Sequence, residues 1–187
     1  RDDCLVVAFR GTEVRSWRDL LTDARFKLKD AASFEGTRVH TGFSVALDQV
    51  MPYILGLARE HGKPVVITGH SLGGALAALC GARMAVAGVD VQAIVTFGQP
   101  RVGNRDFARL MQPLEWRRYV HLSDIVTRVP FWTMTYRHGG ELLFIDRAGE
   151  VWESPDVLTI WREQILSGSR LFSDHAAKNY LIANSTK

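Results

Sequence analysis

Two cysteines, Cys4 and Cys80, are all that the 187 residues contain. Cys4 opens an apolar run and Cys80 lies in an Ala-rich helical stretch, so both read as small buried hydrophobes. One pair at most excludes a disulfide scaffold, and free buried thiols point toward a reducing compartment. Cysteine and histidine nowhere adopt metal-ligand spacing, so no metal or organic cofactor is expected. A basic cluster is missing too. The 23 basic residues are nearly balanced by 20 acidic ones and are spread along the chain, for a net charge of +3. Such a surface does not track a phosphate backbone, so nucleic acid is not an expected partner. At most it favours a transient contact with an anionic lipid interface. No apolar run reaches membrane-spanning length, and no signal-peptide pattern is present. The compartment is otherwise open, and no protein partner is legible.

What is present suits a globular domain. Hydrophobic residues make up 47% and charged residues 23%, and the length fits one domain over residues 1–187. Three short apolar runs read as buried strands: Leu5–Phe9, 65–68 and 93–97. A less pure run covers 118–122. The first run is apolar on both faces, which suits an interior strand with a neighbour on either side. It begins within five residues of a start that carries no Met. The expectation is therefore a chain lacking upstream strands.

Helical spacing of apolar residues runs from 43 to 59, ended by Gly62 and Pro64. A second helix, 72–87, is rich in Ala and Leu with almost no charge, and Gly88 ends it. Gly139-Gly140 and Ala148-Gly149 bracket a hairpin around 141–146. Ser154 is expected to cap a helix that begins at Pro155 and runs to about Leu166. A last helix follows His175, with Tyr180 and Leu181 inward. Strands alternating with helices imply a mostly parallel sheet with helices on both faces.

The chemistry concentrates at Val65-Val66-Ile67-Thr68-Gly69-His70-Ser71-Leu72-Gly73-Gly74. It reads as strand, Gly-x-Ser-x-Gly, then helix. A serine hydroxyl attacks a carbonyl well only when it is exposed, beside a base and next to oxyanion donors. A sharp strand-to-helix turn supplies the exposure and the donors. The first helical N–H, that of Leu72, lacks an intrahelical acceptor and is available to a developing oxyanion. The Gly-x-Ser-x-Gly spacing alone arises by accident often enough that its strand-and-helix context carries the weight. The competing reading is a Gly-rich turn with an ordinary serine.

Further ordered segments extend the pattern. They are Val7-Ala8-Phe9-Arg10-Gly11-Thr12, Val39-His40-Thr41-Gly42-Phe43, Thr96-Phe97-Gly98-Gln99-Pro100-Arg101-Val102-Gly103-Asn104, Ser123-Asp124-Ile125-Val126 with Pro130, and Asp174-His175. With the serine segment they resemble the class 3 lipase family, the fungal-lipase-like branch of the α/β hydrolases, from about Val6 to Tyr180. The resemblance implies a three-layer α/β-hydrolase sandwich. It implies Asp124 as the acid, His175 as the base and Thr12 as the second oxyanion donor. Position alone left six histidines in competition for the base, namely His40, His61, His70, His121, His138 and His175. Independent support is that Asp124 follows a strand, where sites in such sheets are built, and that His175 lies in a polar loop. Asp146 and Asp156 stand behind Asp124 as alternatives, and Asp174 is too close to His175 to hold its ring. Gly98-Gln99-Pro100-Arg101 lacks phosphate-loop spacing and reads as a turn under the site, with Arg101 structural.

The family often carries a lid after Thr12. Here Trp17, Leu20, Leu21 and Ala24 share one helical face. Two readings compete: a lid face that meets lipid when open, and an ordinary amphipathic surface helix. The acyl pocket has candidates in Phe131, Trp132, Thr133 and Met134, and in Leu158, Trp161, Ile165, Leu171 and Phe172, most of which also read as core. The resemblance implies hydrolysis of a lipid or small ester, of acylglycerol type, through an acyl-enzyme. Phospholipase A1, short-chain or aryl esterase and, remotely, peptidase activity are alternatives. A silent lipid-binding or interaction module is the non-enzymatic one, and it has no need of Ser71, Asp124 and His175.

Overall fold

A computed structural model describes residues 3–11, 27–31, 36–130, 135–168 and 173–183. The site is carried by a six-stranded sheet of β1 (Leu5–Phe9), β4 (Val65–His70), β5 (Val91–Phe97), β6 (Trp116–His121), β7 (Glu141–Ile145) and β8 (Val151–Glu153), in that spatial order. Each neighbouring pair is parallel except β7–β8, which closes the sheet antiparallel. The latter pair is the hairpin expected from the paired glycines. Its turn is stapled by Asp146, whose Oδ1 accepts the N–H groups of Ala148 and Glu150 and whose Oδ2 accepts the Trp152 indole N–H. Asp146 is thereby committed to a turn rather than to chemistry. A separate two-stranded sheet pairs β2 (Leu28–Asp30) with β3 (Arg38–His40).

One face of the first strand is open, where its apolar composition suggested cover on both. Among the described residues β1 pairs with β4 alone and stands at the outer side of the sheet, and Val6 is 59% exposed. An apolar run reads the same whether one face or two are covered, so its composition could not place it.

Helices α1 (Thr41–Asp48) and α2 (Met51–His61) lie between β3 and β4, and α3 (Leu72–Val86) joins β4 to β5. The single helix expected over 43–59 is two, broken at Gln49-Val50. Pro52 lies in the first turn of α2. Its ring would clash with the carbonyl of Asp48 and it has no N–H to donate, so a continuous helix cannot pass it. Helix α3 is the centre of the core: Ala75, Ala77, Ala78, Leu79, Cys80, Ala82 and Met84 are buried against Val65, Ile67 and Ile94. Small residues let it lie close to the sheet, and burial of its apolar surface is the main favourable term. Cys80 lies beside Met51, with sulfurs 4.0 Å apart, and burial raises its thiol pKa to about 12. Both cysteines are free, and Cys4 is only half-buried.

Helices α4 (Arg105–Leu110), α5 (Val157–Ser167) and α6 (Ala177–Ala183) complete the molecule. Strand alternation sorts the two faces of the sheet. Ile67 and Ile94 meet α3, while the out-of-phase His70 and Phe97 meet Tyr180 of α6. Helices therefore cover both faces. Tyr180 is buried as expected, but Leu181 is 69% exposed. Asp156, not Ser154, caps α5, accepting the Thr159 N–H.

Helix α5 also reverses the expected sidedness. None of its residues is buried, and Leu158, Trp161 and Ile165 are exposed. Its inward contacts are polar: Gln164 donates to the Leu122 carbonyl at 3.0 Å and Glu163 meets Arg147 at 3.5 Å. These three apolar residues are therefore not core. The remaining pocket candidates, Phe131, Trp132, Thr133, Met134, Leu171 and Phe172, lie outside the described residues.

Candidate active site

Ser71 stands between β4 and α3 with φ 62° and ψ −127°, a conformation an L-residue adopts only under constraint. The constraint is visible. The Ser71 N–H donates to the Phe97 carbonyl at the end of β5 at 2.9 Å, and its carbonyl starts α3 by accepting from Gly74. Gly69 and Gly73 have no side chains because a Cβ on Gly69 would collide with the backbone of Gly73, and one on Gly73 with the Phe9 carbonyl. Strand, helix and β1 thus close on one another at the serine. Leu72 is the first residue of α3, so its N–H has no acceptor within the helix. Its side chain packs on Val126 and Val129, just after Asp124.

Asp124 follows β6 at its carboxyl end, and His175 lies in the loop before α6. The structure brings both to Ser71. His175 Nε2 is 2.8 Å from Ser71 Oγ, and His175 Nδ1 is 2.9 Å from Asp124 Oδ2 and 3.0 Å from Oδ1. A buried carboxylate can only accept, so Nδ1 carries the proton and donates to it. Nε2 is then bare and accepts the serine O–H. All three residues are essentially sealed, with Ser71 and Asp124 0% and His175 1% exposed. The sharp turn was expected to leave the serine open to solvent. It does not: Ser71 is fully buried.

A buried carboxylate needs donors in place of water. Asp124 has three: the His175 ring, the Val126 N–H at 2.9 Å and the Tyr180 hydroxyl at 2.5 Å. Burial, and then the negative charge of Asp124, push the Tyr180 phenol well above its ordinary pKa, so it stays a donor. The same hydroxyl accepts the His121 N–H at 3.2 Å. Beneath the acid–base pair lies Gly98, with φ +58°. A Cβ there would stand 2.8 Å from Asp124 Oδ2 and 3.0 Å from His175 Nδ1. The turn read as lying under the site does so through this glycine. Arg101 is structural, donating to the carbonyls of Arg128 and Pro130.

The competing residues are occupied elsewhere. His40 caps α1, its Nδ1 accepting the Phe43 N–H. His138 Nε2 donates to the Thr127 carbonyl. His61 is exposed in the last turn of α2. Asp174 Oδ2 accepts the Ser123 N–H, and its Oδ1 lies 4.0 Å from His121. Thr12, Trp17, Leu20 and Leu21 lie outside the described residues. Gly11, immediately before Thr12, does reach the serine: a Cβ on it would fall 3.3 Å from Ser71 Cβ. Tyr180 was expected to be inward, but its bond to Asp124 was not foreseen. Nor was the position of His70, whose ring stacks on that of His175 with centroids 4.7 Å apart. Adjacency to the nucleophile was the one available signal.

A mostly parallel sheet with its serine on a strained strand–helix turn, an acid after a later strand and a histidine in the last loop defines the α/β-hydrolase class. The chain belongs to the class 3 lipase family: the model for Lipase (class 3) matches residues 6–134. It is 35% identical over 147 residues to a lipase of Rhizopus oryzae, covering 73% of this chain and 37% of that protein. A secreted mono- and diacylglycerol lipase of Fusarium solani is 35% identical over 150 residues, covering 76% and 44%. The solved mono- and diacylglycerol lipase of Aspergillus oryzae superposes with a TM-score of 0.75 at 27% identity, over 93% of this chain and 70% of that one. The chain thus spans less than half the length of the two curated relatives.

Proposed function

We propose that the protein hydrolyses carboxylic esters of acylglycerol type through an acyl-enzyme on Ser71. The observation that carries this reading is the continuous relay from Asp124 through the His175 ring to Ser71 Oγ, at 2.9 and 2.8 Å. The substrate class rests on the family and on relatives named as mono- and diacylglycerol lipases.

In the reading proposed, His175 Nε2 takes the Ser71 proton as Oγ adds to the ester carbonyl. The imidazolium that forms faces Asp124, which already accepts its Nδ1–H. The oxyanion is received by the Leu72 N–H, with Thr12 as the second donor. Each such donor contributes about 2.7–4 kcal/mol of barrier lowering. Collapse expels the alcohol, protonated by His175. Water, deprotonated by the same nitrogen, then releases the acid and restores Ser71. The buried state of the site keeps water from competing before substrate arrives and strengthens the charges within it.

The test is hydrolysis of p-nitrophenyl esters of graded chain length, and of mono-, di- and triacylglycerols, beside Ser71→Ala. Turnover that disappears in Ser71→Ala supports the reading, and the substrate profile sets the glyceride preference. Folded protein with no Ser71-dependent turnover defeats it.

A further inference from the structure

We infer that His70 is a positioning residue, which locks the base His175 to the strand turn that carries the nucleophile by donating its Nε2–H to the His175 backbone carbonyl. The inference rests on the reading of His175 as the base. His70 Nε2 lies 2.9 Å from that carbonyl oxygen. A carbonyl only accepts, so Nε2 carries the proton. The two rings stack at a centroid distance of 4.7 Å and an interplanar angle of 27°, and Tyr180 closes on the edge of His70 at 5.6 Å.

The need for such a contact follows from where His175 sits. It is delivered by a loop, 104 residues from Ser71 along the chain. The hydrogen bonds of its ring to Ser71 and Asp124 are both altered by turnover: Nε2 gains the serine proton and later gives it up, and Nδ1 belongs by turns to a neutral and a charged ring. The bond to its backbone carbonyl takes no part in proton transfer and persists through every step. His70 is adjacent to Ser71 and is the last residue of β4, so it moves with the nucleophile. One hydrogen bond therefore sets the separation of base and nucleophile. Burial, and then the charge of His175, depress the His70 pKa, so the stacked ring stays neutral when its neighbour becomes an imidazolium.

Two variants separate positioning from general support. His70→Ala removes both contacts. His70→Gln places an amide N–H the same number of bonds from Cα and restores the donor. In His70→Ala, kcat is expected to fall at least about tenfold with KM within about twofold, because misplacement of the base acts on the chemical step. The low-field proton resonance of the His175–Asp124 bridge is expected to broaden or vanish. His70→Gln is expected to recover both. His70→Phe, which fills the space without the donor, replaces His70→Ala if that variant does not fold. Unchanged kcat and an unchanged resonance in the donor-less variant overturn the inference, as does a His70→Gln protein as impaired as His70→Ala. If wild-type protein turns over no ester, the proposed function fails, and the resonance alone still decides the role of His70.

Discussion

Tyr180 and Gly98 both bear on Asp124. Tyr180 supplies Asp124 with a donor, and Gly98 supplies it with space. Removing the hydroxyl in Tyr180→Phe leaves a buried carboxylate one bond short and strips the His121 N–H of its acceptor. Loss of a bond to a buried charge costs about 1.5–3 kcal/mol. The urea midpoint of Tyr180→Phe should fall accordingly, and kcat with it. Unchanged stability would mean that water replaces the phenol. Gly98→Ala adds a methyl group where the carboxylate and the imidazole already stand, at a φ that penalises any side chain. Ester turnover should drop by about 100-fold or more, since displacement by an ångström has that effect. Activity within a few-fold of wild type would show that the pair yields without consequence. The serine was legible because its turn is local: strand, glycines and helix are contiguous. Asp124 and His175 were legible through family resemblance more than through spacing, since 51 residues separate them. The contacts of Tyr180 and His70 were not legible, because a helical period or an adjacency indicates a direction and not the atom met there.

Periodicity locates helices better than it locates their buried faces. Helix α5 shows the difference. Its Leu158, Trp161 and Ile165 share a face, as their spacing indicates, yet that face looks outward, and Gln164 on its flank ties the helix to the Leu122 carbonyl. The hydrogen bond and the Arg147–Glu163 pair orient the helix, and neither can be read from an apolar pattern. The consequence is measurable. Leu158 and Ile165 are 81% and 73% exposed, so Leu158→Ala and Ile165→Ala should each change unfolding free energy by less than about 0.5 kcal/mol. Leu79, wholly buried in α3, should lose about 2–5 kcal/mol on the same substitution. Losses of core size at Leu158 would mean that α5 packs on something in solution. The break between α1 and α2 was written in Pro52, but the apolar spacing across it masked the signal. For β1, composition indicated a strand and could not tell a covered face from an open one.

At the scale of the molecule, neutral histidines held out of water tie the fold to pH. Burial lowers the pKa of His40 to about 4. Burial likewise lowers His70 and takes His138 well below its ordinary value, with the charges of Arg118 and Arg101 adding to the effect at His138. In the unfolded chain each titrates near 6.5. Between the two values the unfolded state binds protons that the folded state refuses. Stability is therefore complete above about pH 6.5 and declines as pH falls. At full separation the decline is about 1.4 kcal/mol per pH unit for each histidine. For His40 the window closes near pH 4, where its folded form also protonates and its Nδ1 can no longer accept the Phe43 N–H. Urea unfolding at pH 7.5, 5.5 and 4.5 should show a midpoint that falls across this range. Asp48, which burial would raise but its bond to Arg83 and the charges of Arg83 and Lys29 together hold low, loses its contribution only as pH falls from the ordinary carboxylate pKa downward, so it does not mimic the effect above that range. His40→Asn keeps a side-chain cap for α1 and cannot titrate. Its stability at pH 7.5 should be close to wild type, and its decline toward pH 4.5 shallower. An equal slope in the two proteins would show that His40 takes up its proton in the folded state without resistance, and that the acid sensitivity lies with His70 and His138.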